Sequence, residues 1–162
     1  MSESIDVTTP TDEEVVVSRL FDATPALVFD CHTQPDLVRR WLLGPPGWTM
    51  PVCEIDLRVG GAYRYRWRNA AGDHEFGTGG VFTEIAAPMR WAHTGQMDGE
   101  PGESTNHYTL TEENGRTRLT MRMNYGSKAI RDVALKSGMT RGMGQSFDRL
   151  AEMLAEDAKA KG

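Results

Sequence analysis

Between Met50 and Tyr125 the apolar residues recur at every second position, and turn residues break the pattern about every ten positions. A period of two sends successive side chains to opposite faces, so this stretch is a succession of antiparallel strands with one buried face. The pattern predicts strands over 52–59, 63–68, 74–85, 89–95, 105–111 and 117–124. Gly60-Gly61 forms the first turn, Asn69-Ala70-Ala71-Gly72-Asp73 the second, and Asn114-Gly115 the last hairpin. A further strand, rich in β-branched residues, is predicted over 13–21, which makes seven.

The flanks read as helices. Thr24 caps a first helix, with Pro25 at its opening position and Leu27, Val28 and Cys31 facing inward. Gln34-Pro35-Asp36 starts a second, with Leu37, Val38, Trp41 and Leu42 at helical spacing. Ser127 to Lys136 is a short helical prelude, and Ser137-Gly138 a hinge. Met139, Met143, Phe147, Leu150 and Leu154 then recur at spacings of four, four, three and four, one stripe of a long helix. The fold class is therefore α+β: a curled seven-stranded antiparallel sheet wrapped around one long C-terminal helix, with two short helices between strands 1 and 2. Residues 1–12 are polar and read as a disordered leader, and 13–160 as a single domain. A sheet that curls around one helix leaves a gap where its strands splay, and the inward side chains line that gap.

A chain of 162 residues can bury a core without disulfides or metal. Eighteen basic against 23 acidic residues give a net charge of −5, which argues against a nucleic-acid binder. No run of apolar residues is long enough for a membrane span, and the N-terminus lacks the basic and apolar regions of a secretory signal. Cys31 and Cys53 read as reduced, buried thiols, and the expected location is cytoplasmic.

Several blocks carry a resemblance to a known family. They are Phe21-Asp22-Ala23-Thr24-Pro25, Val28-Phe29-Asp30, Gln34-Pro35-Asp36-Leu37 with Arg40-Trp41, and Asp56 through Tyr63. Gly77 through Glu84, Thr117-Arg118-Leu119-Thr120 and Ser146-Phe147-Asp148-Arg149-Leu150 complete the set. With these the chain resembles the START-like superfamily (SRPBCC, helix-grip fold), and within it the homologues of the activator of the heat-shock-protein-90 ATPase, C-terminal-domain type. Met143 stands where that family usually has a tryptophan, so a flexible thioether reshapes the cavity. The resemblance implies the helix-grip fold, a cavity and a stress-response setting, and offers a cochaperone role as an alternative. The cochaperone role ranks lower, because twelve polar residues would not replace the N-terminal domain that eukaryotic activators carry.

The expected function is non-enzymatic binding of a small hydrophobic or amphipathic ligand between sheet and C-terminal helix. The wall residues are Tyr63, Tyr65, Trp67, Phe82, Trp91, His93, Tyr108, Met121, Met143 and Phe147. Pairing the 89–95 and 105–111 strands so that Trp91, His93, Tyr108 and Leu110 share one face buries more apolar surface than the alternative register, and it turns His107 outward. An alternative enzyme, cyclase- or hydrolase-like, would use His93 as general base, paired with Glu84 if both face inward. Arg64, Arg66 and Arg68 form the solvated outer comb of their strand. The histidines have no metal-ligand spacing, no nucleophile elbow exists, and Gly77-Thr78-Gly79-Gly80 lies within a strand where it helps the sheet coil. No cofactor and no metal are expected; a homodimer is left open.

Overall fold

The computed structural model describes residues 5–100 and 102–161, with side chains as far as Glu156. The elements run β1 (Asp6–Thr8), β2 (Glu14–Phe21), α1 (Pro25–Thr33), α2 (Pro35–Trp41), β3 (Thr49–Ile55), β4 (Ala62–Arg68), β5 (Glu75–Ala86), β6 (Arg90–Met97), β7 (Ser104–Glu113), β8 (Arg116–Asn124), α3 (Lys128–Lys136) and α4 (Met139–Lys161). The strands form one antiparallel sheet in the order β1-β2-β8-β7-β6-β5-β4-β3.

The sheet has eight strands, not seven, because part of the expected leader pairs: Asp6, Val7 and Thr8 lie opposite Ser18, Val17 and Val16. All three residues are exposed, so no apolar alternation marks them. Main-chain hydrogen bonding to the otherwise open edge of β2 is what holds them. Residues 1–4 of that leader lie outside the described residues. A second difference concerns β3, which spans 49–55 rather than 52–59. Asp56 to Gly61 form a turn in which the Gly61 N–H donates to the Arg58 carbonyl at 2.8 Å and the Arg58 side chain pairs with Asp56 at 2.9 Å. Leu57 and Val59 are exposed on it and join no core.

One face of the sheet is buried. Val15, Val17, Phe21, Tyr63, Phe82, Trp91, Tyr108, Leu110, Leu119 and Met123 pack in one cluster with Phe147, Leu150, Met153 and Leu154 of α4. Phe21 and Phe147 meet edge to face at 5.7 Å, tying β2 to the helix. Arg149 ties α4 to the end of α2 and the loop after it, donating to the carbonyls of Trp41 (3.0 Å) and Gly44 (3.2 Å). Thr24 caps α1 through its hydroxyl, and Ser127 caps α3 in the same way, as their residue types require.

The glycine-rich stretch is a close-approach device. A Cβ on Gly80 would overlap the carbonyl oxygen of Thr94 on the neighbouring strand. We expect Gly80→Ala to destabilise the fold by roughly 1–3 kcal/mol through forced strand separation. Denaturant unfolding measures it, and an unchanged midpoint would contradict this account of the glycine.

Candidate functional site

The buried face does not fill completely against α4. A cavity of about 590 Å³ remains between β4–β8, the first turns of α4, α3 and the β6–β7 connection. Strand alternation builds its walls. Tyr63, Tyr65 and Trp67 project inward from β4, Phe82 from β5, Trp91 and His93 from β6, Tyr108 from β7 and Met121 from β8. Met143 and Phe147 close it from α4, so all ten expected wall residues border one space.

Their rings are mutually fixed. Trp91 and Tyr108 stack with centroids 4.9 Å apart and planes within 5°. His93 lies 4.5 Å from Tyr63 and 5.2 Å from Tyr108. Several polar tips are tied to the main chain: Tyr63 donates its hydroxyl to the Thr94 carbonyl at 2.7 Å, and Trp67 donates its indole N–H to the Leu42 carbonyl at 2.7 Å. Trp91 lies opposite Tyr108 and His93 opposite Asn106, the register that apolar burial favours, while His107 opposes Ala92 and is exposed.

The His93–Glu84 pair does not form. Phe82 pairs with His93, but Glu84 pairs with Ala92, so the strand carries one extra residue between them. A bulge of this kind inverts the alternation beyond it. Ile85, opposite Trp91, takes the inward place, and Glu84 turns out to an ion pair with Arg90 at 3.1 Å. The arginine comb does lie outside: Arg66 and Arg68 pair with Glu75 at 2.8 and 3.0 Å, and Arg64 with Asp98. These arginines hold the carboxyls of Glu75 and Asp98 below their ordinary range.

Sequence reasoning missed several wall groups. His32 and Trp41 reach the cavity from α1 and α2, Asn106 from β7, Tyr125 from beyond β8, and Ile130 and Val133 from α3. His32 stands four residues after Val28, on the inward side of α1, and that spacing was the available signal. Its ring packs between Trp41 (4.8 Å) and Trp91 (5.5 Å).

The buried part of the cavity wall carries no acidic or basic side chain other than histidine. Burial lowers His32 and His93 to a pKa of about 4, so both rings are uncharged at neutral pH. Burial likewise pushes the phenols of Tyr63, Tyr65 and Tyr108 upward and that of Tyr125 to about 12. The only charged groups on the wall, among the described residues, are Glu100 and Glu103, both exposed. No group of three or more His, Cys, Asp or Glu among the described residues could hold a metal ion. No helix among them is long and apolar enough to cross a membrane.

Residues 22–155 match the model of the family described as activator of Hsp90 ATPase homolog 1-like protein. The chain belongs to that family. A crystal structure of a protein from Rhodobacter sphaeroides is similar over 95% of this chain and 99% of its own, with a TM-score of 0.90 and 28% identity. A Mycobacterium smegmatis protein is similar over 94% and 97%, with a TM-score of 0.83 and 24% identity. An HSP90 activator from Plasmodium falciparum shares the fold over 80% of this chain and 89% of its own, with a TM-score of 0.55 and 19% identity. No curated protein matches the chain in sequence.

Proposed function

We propose that this member of the activator of Hsp90 ATPase homolog 1-like family binds a small hydrophobic or amphipathic molecule in the cavity between sheet and α4, without transforming it. The observation that carries this reading is the cavity itself: about 590 Å³, walled by aromatic rings and methionines. That volume lies within the range of small-molecule pockets, roughly 300–1,000 Å³. Apolar contact would supply most of the affinity, at about 25 cal/mol per Å² of surface removed from water. The tyrosine hydroxyls and His93 would orient a polar end. Met139 and Met143 give the α4 wall a flexible surface that adapts to ligands of different outline.

A panel of lipids and aromatic metabolites, read by thermal unfolding, tests the proposal. A ligand present at a hundred times its dissociation constant stabilises by about 2.7 kcal/mol, which for a domain of this size raises Tm by roughly 5–10 °C. No shift from any compound would contradict it. A cyclase- or hydrolase-like activity with His93 as base is the enzymatic alternative, and turnover lost in His93→Ala with binding retained would favour it. The family description and the Plasmodium neighbour make a chaperone ATPase the alternative partner. A change in a chaperone's ATP hydrolysis on adding the protein would favour that reading.

A further inference from the structure

We propose that the ligand is uncharged and carries a hydrogen-bond donor, a hydroxyl or an amide N–H on an apolar body, which the Nε2 atoms of the cavity histidines accept. This rests on the ligand-binding reading above and adds its chemical class.

The tautomers follow from geometry. The Nδ1 atom of His32 lies 2.8 Å from the Val28 carbonyl, and that of His93 lies 3.0 Å from the Thr94 carbonyl. A carbonyl oxygen only accepts, so each Nδ1 carries the proton and each Nε2 presents a lone pair. The amide nitrogen of Asn106 is also near His93, but at 3.4 Å and on the Nδ1 side, so it does not occupy Nε2. His32 borders the cavity, and its Nε2 is buried with no hydrogen-bond partner among the described residues, an acceptor left unfilled. Buried acceptors are normally paired, and an unpaired one costs free energy until a donor reaches it.

Three of the wall's own donors are committed to the main chain. Tyr63, Trp67 and Trp41 give their hydrogens to the carbonyls of Thr94, Leu42 and Cys31. A ligand that brings a donor therefore meets the open acceptor of His32, whereas one that brings only acceptors leaves it unfilled. A carboxylate or phosphate fares worse. No lysine or arginine borders the cavity among the described residues, and the two ionised groups that do, Glu100 and Glu103, repel an anion. An anion buried there would lose its hydration with no counter-charge to replace it.

Three compounds on one body separate these terms: 2-naphthol, 2-methoxynaphthalene and 2-naphthoate, titrated calorimetrically at pH 7.5. We expect the naphthol to bind about tenfold tighter than the ether, the size of one net hydrogen bond, and the naphthoate to bind weakest. In His93→Phe and His32→Phe the preference for the naphthol over the ether should shrink toward equality. Because either variant can fail to fold, the wild-type series stands as a test alone. Equal affinities, or tightest binding of the naphthoate, overturn the inference and leave the cavity reading intact. No binding by any of the three counts against both.

Discussion

Leu150→Ala should cost about 2–5 kcal/mol of folding stability, the ordinary cost of emptying a fully buried leucine site. Leu150 has no exposed surface and sits with Phe147, Met153 and Leu154 in the cluster that joins α4 to the sheet. Met143, on the same helix, is only half-buried and borders the cavity, so Met143→Ala removes fewer contacts and should cost less. Its effect belongs to binding: the preference among ligands should change while the unfolding midpoint moves little. Denaturant unfolding and ligand titration of both variants separate the two roles. Equal destabilisation with unchanged binding would show that Met143 is plain core.

A second large effect is the response of stability to acid. Burial lowers His32 and His93 from 6.5 to about 4 in the folded protein. Between those values the unfolded chain binds protons that the folded chain refuses, so stability falls as pH drops. Above pH 6.5 neither state protonates the rings and the term vanishes. Below pH 4 both states are protonated and the loss is complete. Each ring then costs on the order of 3 kcal/mol, from about 1.4 kcal/mol per tenfold change in proton affinity. Glu75, Asp98, Glu113 and Asp132 are held below their ordinary range by arginine or lysine partners and titrate in more acidic solution. The window from 6.5 downward therefore reports the histidines first, with His93 adding to the lowering of His32 and His107 to that of His93. Unfolding free energies measured from pH 7.5 to 4.5 check this, and a flat profile down to pH 5 would contradict neutral burial of the two rings.

The inward faces of the strands were legible because a period-two pattern states which residues share a side. That is why Tyr63, Tyr65 and Trp67 could be placed together, and why the β6–β7 register could be chosen by burial. Three things were not written in that pattern. β1 is exposed on every residue and is held by main-chain pairing alone, which leaves no side-chain signature. Leu57 and Val59 look like strand residues but lie on a turn set by Asp56, Arg58 and Gly61. The extra residue beyond Phe82 inverted the parity of Glu84, and a bulge has no reliable composition on a strand with so many glycines. His32 illustrates a different gap. A histidine within a helix is ambiguous until the tertiary fold shows that its face meets a cavity rather than a packed sheet.

The central claim is that the space between sheet and α4 is a binding site. Its most direct test is a crystal structure of the protein soaked with the compound that gives the largest thermal shift. The account predicts density inside the cavity, in contact with Trp67 and Met143 and with a donor directed at a histidine Nε2. A compound seated elsewhere on the surface, with the cavity closed by the side chains that line it, would contradict it.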